Sequence, residues 1–288
     1  WKYQPGIEGS NTWGMMGNMM NFLAYLFMGL PAGKLLAKVG YKKTTLTGVG
    51  VGLVGVLIQF LSGRVAVGSF IGTLPANFFI YLFGAFVCGF SVCLLNTVVN
   101  PMLNLLGGGG NRGNQLVQIG GTFNSLTGTL TPMLVGSLIG TVTKSTAMTD
   151  VDLVLYIAMG VFASVFAILI FVPFVEPEQQ AGTEHKVKDL LKYPQLVFGV
   201  IAIFLYVGVE VGIPGTLNFY LTDTLGSANA ATVAGFVAGT YWFLMLIGRF
   251  VSSFISGKVS SRVQLATTSG VAVLFVIAAM FSTDVQAS

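Results

Sequence analysis

Long uncharged stretches alternate with short charged segments along the whole chain. Each stretch is close to the roughly 20 residues that an α-helix needs to cross a bilayer. Strands of a membrane barrel alternate apolar and polar residues, whereas these stretches are evenly apolar. The pattern therefore predicts eight membrane-spanning helices. They cover approximately residues 11–33, 44–63, 76–103, 113–143, 153–175, 195–222, 224–248 and 263–283.

Composition supports lipid as the main solvent of the chain. Charged residues make up 8% of the sequence and hydrophobic residues 54%, and the mean hydropathy is +0.82. A soluble domain carries about 25% charged residues. So few charges cannot cover a water-facing surface, which predicts a multi-pass integral membrane protein with the bilayer as its partner. The net charge of +4 is spread over several segments, which argues against nucleic acid as a partner.

The basic residues predict the orientation of the spans. Eleven of the 14 lysines and arginines fall on one side of the eight spans, which makes that side cytoplasmic by the positive-inside rule. These residues are Lys34, Lys38, Lys42, Lys43, Arg112, Lys186, Lys188, Lys192, Arg249, Lys258 and Arg262. Both ends of the chain are then predicted to lie on the other side of the membrane.

One polar segment divides the predicted spans into two groups. Residues 176–194 read EPEQQAGTEHKVKDLLKYP and are bounded by prolines, which is typical of a linker. We therefore predict an all-α membrane protein with two bundles. Five spans lie in residues 1–175, the cytoplasmic linker covers 176–194, and three spans lie in residues 195–288.

The sequence offers no constellation for catalysis. The single histidine, His185, lies in the polar linker, so no Ser-His-Asp set can be drawn. Cys88 and Cys93 match neither a metal nor a redox spacing. The chain is therefore predicted not to be an enzyme, with no catalytic residue, no metal and no cofactor.

Several short segments, in order, resemble one family. Residues 30–43, LPAGKLLAKVGYKK, resemble the loop signature of the major facilitator superfamily. The Asn-Pro pair at 100–101, TFNS at 122–125, VGVEVGI at 207–213 and GRF at 248–250 are similar to segments of its fucose permease and glucose/galactose transporter branch. The resemblance implies a gating loop. Its residues would be Gly33, Gly40, Lys42, Lys43 and Arg249.

The resemblance also implies a function. Members of the superfamily have twelve spans in two halves that rock around a solute near the membrane midplane, so this chain would lack the first span and the last three. We expect a secondary active transporter of a monosaccharide or related small polar solute. It would work as a cation-coupled symporter, driven by H⁺ or Na⁺, as a monomer in the bacterial inner membrane. Two alternatives stay open: an exporter of hydrophobic compounds, and a membrane sensor or scaffold that does not transport.

The chain departs from the fucose permease pattern at two positions. That pattern has a glutamate four residues before the Asn-Pro pair, where this chain has Asn96. It has a glutamine immediately before Thr-Phe-Asn-Ser, where this chain has Gly121. The proton-handling part and some of the sugar-binding part of the pattern are therefore not carried over, whereas Asn124 is.

Glu210 is the only acid deep within a predicted span. A carboxylate in hydrocarbon is costly, so it marks a functional site by default. Pro214 and Gly215 follow one turn later and predict an unwound helix with free carbonyls for an ion or a solute. Glu210 is thus a candidate for both solute binding and ion coupling. The alternative is a carboxylate that holds neighbouring helices together.

Amide and aromatic side chains complete the predicted solute site. Amides donate and accept hydrogen bonds, which suits sugar hydroxyls, and aromatic rings stack on the C–H faces of sugars. The alternative for each amide is a hydrogen bond between helices, and for each ring it is packing. The candidates are Asn96, Asn100, Gln118, Asn124, Tyr206 and Trp242. Asn96, Asn100, Asn124 and Glu210 are expected to face the space between the two halves.

The glycines of residues 48–52, GVGVG, imitate a dinucleotide-binding fingerprint. No strand precedes them and no βαβ unit can be drawn around them. We therefore predict a face on which a membrane helix packs closely against its neighbours.

Overall fold

A computed structural model describes residues 1, 6–7, 11–139, 148–173, 176, 192–225 and 230–281. These residues form seven α-helices, a single turn of 3₁₀ helix over Met148–Val151 and a short hairpin. The helices are α1 (Asn11–Ser62), α2 (Ala76–Leu106), α3 (Gly110–Ile139), α4 (Asp152–Phe171), α5 (Pro194–Leu225), α6 (Ala230–Ile255) and α7 (Ser261–Met280). Strands β1 (Phe70–Ile71) and β2 (Leu74–Pro75) pair antiparallel between α1 and α2. The predicted all-α class is confirmed.

The first two predicted spans belong to one kinked helix. Within α1 only Gly40 leaves the helical conformation, with φ 85° and ψ 176°. The prediction of a loop over residues 34–43 is therefore wrong, because the chain is helical on both sides of Gly40. Leu35, Leu36 and Lys38 favour helix, and only glycine adopts the backbone angles of the kink at low cost.

Five helices of the described part are long and apolar enough to cross a membrane by length and composition. They are α1 over Thr12–Ser62, α2, α4, α5 over Pro194–Pro214, and α7. The apolar part of α6, Gly239–Ile255, is shorter. Helix α3 is less apolar because glycine, threonine, asparagine and glutamine interrupt it. The seven helices of the described part overlap the eight predicted stretches of the sequence, because α1 covers the first two of them.

The chain folds into two compact units. The first unit comprises Trp1–Leu103 and Pro132–Gln179, and the second comprises Asn104–Thr131 and Gln180–Ser288. In the first unit α4 packs on α1, and in the second α5 packs on α6. Most of α3 belongs to the second unit. Residues 177–191 of the predicted linker lie outside the described part of the chain, and the predicted domain bounds stay a prediction.

Glycines of α1 make the close-packing face that the sequence predicts. A Cβ atom at Gly52 would overlap the Phe162 ring, and one at Gly55 would lie 2.8 Å from the backbone nitrogen of Cys88. The Ser91 hydroxyl donates to the Gly48 carbonyl over 2.6 Å, so α1 and α2 also share a hydrogen bond. The prediction of a close-packing face is therefore confirmed.

An exposed ion pair joins α4 to the segment that follows α1. The Arg64 guanidinium donates to both carboxylate oxygens of Asp152, at 3.2 and 2.6 Å, and lies 3.8 Å from the centroid of the Phe60 ring. The hydrogen bond to Asp152 raises the pKa of the Arg64 guanidinium, so this residue stays charged. The pair thus connects two elements of the first unit at a solvated surface.

Candidate functional site

The carboxylate of Glu210 is paired with an arginine of the neighbouring helix. Arg249 Nη2 on α6 donates to Glu210 Oε1 on α5 over 2.9 Å. The side chains are 23% and 16% exposed, respectively. The pair removes the net charge of the cluster, which lowers the cost of placing an acid within a membrane helix. Both side chains keep a partly accessible edge.

Arg249 also reaches a third helix. Its Nη1 donates to the backbone carbonyl of Gly121 on α3 over 3.2 Å. We expected Arg249 in a gating loop, but α6 continues to Ile255 and buries most of its side chain. The guanidinium therefore links α3, α5 and α6 inside the second unit.

Pro214 affects the helix differently from the prediction. Helix α5 continues through Pro214 to Leu225, so the predicted unwinding is wrong. A proline inside a helix has no N–H to donate to the carbonyl four residues earlier, which is that of Glu210. This carbonyl accepts a hydrogen bond from the Tyr241 hydroxyl over 3.2 Å. The group that proline frees is thus satisfied by α6.

Aromatic side chains border the ion pair. Tyr206 lies one turn before Glu210, interacts with both Glu210 and Arg249, and is 54% exposed. The rings of Tyr241 and Trp242 meet edge to face with centroids 5.6 Å apart. The cluster combines guanidinium donors, carboxylate acceptors and an accessible ring. Such a set can bind a small solute that carries several hydroxyl groups.

Helix α3 places polar groups near its contact with Arg249. Gln118 is half-buried three residues before Gly121, and Asn124 is exposed three residues after it. The hydroxyl of Ser125 is buried, and within the described part of the protein it has no hydrogen-bond partner. Sequence reasoning missed Ser125 and the role of Arg249. The Thr-Phe-Asn-Ser motif was the available signal for the serine.

The family profile of the Major Facilitator Superfamily matches residues 11–288. The chain belongs to the Major Facilitator Superfamily. The predicted family is therefore confirmed.

Curated relatives of this superfamily chain bear the names of the predicted branch. The glucose/galactose transporter of Brucella abortus is 28% identical over 280 residues, which cover 94% of this chain and 65% of that protein. The putative glucose/galactose transporter of Helicobacter pylori is 29% identical over 259 residues, which cover 85% of this chain and 59% of that protein. The chain thus spans somewhat less than two thirds of the length of these relatives.

Solved structures show the same superfamily fold. The superfamily transporter FucP in its outward conformation superposes with a TM-score of 0.78, covering 98% of this chain and 71% of that one, at 18% identity. A second structure, of the E. coli fucose:proton symporter FucP, gives a TM-score of 0.67 over 86% of this chain and 64% of that one. At this identity the likeness establishes the architecture alone.

The first unit of this superfamily chain holds the other predicted amides. Asn96 donates from Nδ2 to the Tyr25 hydroxyl on α1 over 2.8 Å, and Asn100 is exposed one turn further along α2. Tyr25 is a partner that the sequence did not indicate. The facing of Asn96, Asn100, Asn124 and Glu210 toward a common space stays a prediction.

The superfamily loop signature forms two helix caps. The Glu176 carboxylate accepts hydrogen bonds from the backbone N–H groups of Tyr41 and Lys42, both at 3.1 Å. These two residues begin the second arm of α1, which follows the kink at Gly40 and ends at Ser62. In return, Lys42 Nζ donates to the carbonyls of Ile170 and Val172 at the end of α4, at 3.0 and 2.9 Å. An acid at a helix N-terminus and a cation at a C-terminus both suit the helix dipole.

The remaining residues of the predicted gating loop are less constrained. Lys43 is exposed, and Gly33 is exposed with open space where a side chain would point. Among the described residues, no group of three or more histidine, cysteine, aspartate or glutamate side chains is placed to hold a metal ion.

Proposed function

We propose that the protein is a secondary active transporter of a monosaccharide or a related small polar solute, working by alternating access. The observation that carries this proposal is the neutral Glu210–Arg249 pair inside membrane helices, with Tyr206 beside it and an accessible edge. Polar groups at such depth are costly and mark solute or ion pathways. The names of the curated relatives support a sugar as the solute.

The chemistry of the cluster suits an uncharged, hydroxyl-rich solute. Arginine presents five N–H donors, of which the structure assigns one to Glu210 and one to Gly121. Glu210 Oε2 and the spare guanidinium donors are then able to bind adjacent hydroxyls. Because the two charges cancel, the cluster gives no general attraction to anions. A neutral hexose therefore fits it better than a sugar acid does.

We propose cation coupling, with H⁺ better supported than Na⁺ at Glu210. The expectation of Na⁺ rested on carbonyls freed by an unwound helix, but α5 is continuous there. The carbonyl that Pro214 frees already accepts a hydrogen bond from the Tyr241 hydroxyl. A sodium ion needs several oxygen ligands at once, whereas a proton needs one.

The alternatives differ in their demand for polar groups. An exporter of hydrophobic compounds needs an apolar and aromatic lining, which the charged cluster around Glu210 disfavours. A sensor or scaffold needs no accessible polar cluster in the membrane at all. We further propose that the protein acts as a monomer in the bacterial inner membrane, with a small sugar and the bilayer as its partners.

Uptake into vesicles tests the proposal. The full-length protein is reconstituted, and radiolabelled glucose, galactose, fucose and a hydrophobic cation are offered with an imposed H⁺ or Na⁺ gradient. We expect accumulation of at least one neutral hexose, driven by the H⁺ gradient and abolished by a protonophore. Accumulation of the hydrophobic cation alone would support the exporter. Absence of uptake and exchange for every solute would contradict transport.

A further inference from the structure

The contact between Gly121 and Arg249 depends on the absence of a side chain. A Cβ atom at position 121 would lie 3.3 Å from Arg249 Nη1 and 3.5 Å from its Cδ. The first distance is tight, so an alanine requires a shift of a few tenths of an ångström. A longer side chain would occupy the space of the guanidinium itself and would displace it.

Gly121 is also one of the two positions at which the chain departs from the pattern that it resembles. That pattern places a glutamine there, whose amide would project from α3 into the space that Arg249 fills in this protein. In this protein the polar donor next to Glu210 comes from α6, as the guanidinium of Arg249.

We propose that Gly121 is a positioning residue that sets solute specificity by admitting Arg249 to its partners, Glu210 and the Gly121 carbonyl. The admitted guanidinium balances the carboxylate and presents several donors to the solute. Position 121 therefore decides whether the donor beside Glu210 is a guanidinium or an amide. The part of this proposal that concerns the solute rests on the proposed transport function, whereas the part that concerns the ion pair does not.

A stability cycle tests the ion-pair part without any solute. Arg249→Lys is introduced into the parent chain, into Gly121→Leu and into Gly128→Leu, and the melting temperature of each purified protein in detergent is measured. Gly128 is the matched control, because it lies on α3 with nothing within 4 Å of its Cβ position. A lysine lacks the planar guanidinium with which Arg249 donates to the Glu210 carboxylate and the Gly121 carbonyl at the same time.

We expect Arg249→Lys to lower the melting temperature of the parent and of Gly128→Leu by similar amounts. In Gly121→Leu its effect should fall to less than about half, because the guanidinium is already displaced and the two sites are coupled. An undiminished effect of Arg249→Lys in Gly121→Leu would overturn the proposal. If Gly121→Leu does not fold, the cycle is repeated with Gly121→Ala, for which a smaller but measurable coupling is expected.

Solute binding tests the specificity part. The dissociation constant of the neutral hexose is measured by equilibrium dialysis. Gly121→Ala should stay within about threefold of the parent, and Gly121→Leu should bind at least about tenfold more weakly, as expected for losing hydrogen bonds to a charged donor. Gly128→Leu should bind like the parent.

A swap of donors separates a specificity role from a purely structural one. Gly121→Gln alone should weaken binding, because the amide competes with Arg249 for space. Adding Arg249→Met should raise the affinity for the hexose by at least about threefold over Gly121→Gln alone, since the amide then has room to face Glu210. No recovery in the double variant would show that position 121 matters only for packing. Absence of hexose binding by the parent would instead refute the proposed function, and the stability cycle would still stand.

Discussion

The described part of the protein has two arginine–carboxylate ion pairs in different surroundings, Arg64–Asp152 and Glu210–Arg249. We expect the surroundings to decide how much the loss of each pair destabilises the protein. Arg64–Asp152 lies at a solvated surface, with the arginine side chain 38% and the aspartate side chain 17% exposed. Glu210–Arg249 lies between membrane helices, with both side chains less than a quarter exposed. Water compensates the loss of a partner in the first case but not in the second. Only the second pair is therefore expected to be sensitive to substitution.

Glu210→Gln should destabilise the protein by roughly 1–3 kcal/mol, because it leaves a partly buried guanidinium without its anion. Asp152→Asn is the control and should cost less than about 1 kcal/mol. Both are measured by thermal unfolding in the same detergent. Equal effects of the two variants would show that Arg249 finds another partner.

The same variant separates two roles of Glu210 in transport. If Glu210 carries the coupled proton, Glu210→Gln should abolish accumulation against a gradient and spare exchange of labelled for unlabelled solute. If it binds only the solute, both activities should weaken together. Normal accumulation with normal affinity would leave Glu210 a structural residue.

Sequence alone located the acid but not its partner. Glu210 stood out because no other acid lies deep in an apolar stretch, and that depends only on composition. The charge of Arg249 predicts the end of a span at residue 248, and the resemblance implies a gating loop there. The structure extends α6 by another six residues beyond Arg249. A single charged residue cannot tell a span boundary from a buried pair until the neighbouring helix is known.

At the level of elements, the kink of α1 is held from both sides. Gly40 supplies the backbone angles, Glu176 caps the new helical arm, and Lys42 caps the end of α4. The glycine and the lysines were visible in the sequence as a motif. The cap from Glu176 was not, since it joins residues more than a hundred positions apart.

Gly40→Ala should lower stability by about 1–3 kcal/mol, since φ 85° with ψ 176° is a conformation that essentially only glycine adopts. Its Cβ would also overlap the Glu176 carboxylate. Gly33→Ala is the matched control in the same helix, and with open space around it should be neutral or slightly stabilising. Chemical or thermal unfolding measures both. A neutral Gly40→Ala would show that the kink relaxes into continuous helix.

Gly55→Ala should destabilise the first unit by about 1–3 kcal/mol, because the added methyl group would meet the backbone of Cys88 and the carbonyl of Gly84. Backbone atoms cannot turn aside as a flexible side chain does. Gly29→Ala, with nothing within 4 Å, should instead gain up to about 1 kcal/mol from helix propensity. If the two variants unfold alike, α1 and α2 do not cross closely at Gly55.

At the scale of the whole molecule, the order of the helices in the described part of the chain followed from the sequence, because bilayer thickness imposes a length on each apolar stretch. Helix α3 shows where this reasoning weakens: it is rich in glycine, threonine and amides, yet it is helical over 30 residues. Its polar residues bind within the second unit, as Asn114 does to Ser261. Which unit a helix joins is a long-range property that local composition does not encode.

The predicted orientation of the molecule does not depend on Arg249. The charge of the Arg249 guanidinium is balanced by Glu210, so Arg249 does not count as evidence for the cytoplasmic side in the positive-inside rule. The other basic residues of that side keep the asymmetry, with Lys34, Lys38, Lys42 and Lys43 clustered around the α1 kink.

The second arm of α1 gives a direct test of this orientation. Lys43 lies just after the kink and Arg64 just beyond the end of the helix, and the 1.5 Å rise per residue places them about 30 Å apart. That distance matches the hydrocarbon thickness of a bilayer.

Lys43→Cys and Arg64→Cys are made separately in a chain carrying Cys88→Ala and Cys93→Ala, and intact cells are treated with a membrane-impermeant maleimide. Arg64→Cys should react from outside, and Lys43→Cys should react only after the membrane is opened. The reverse result would invert the whole molecule. Reaction of both from outside would show that this arm does not cross the membrane.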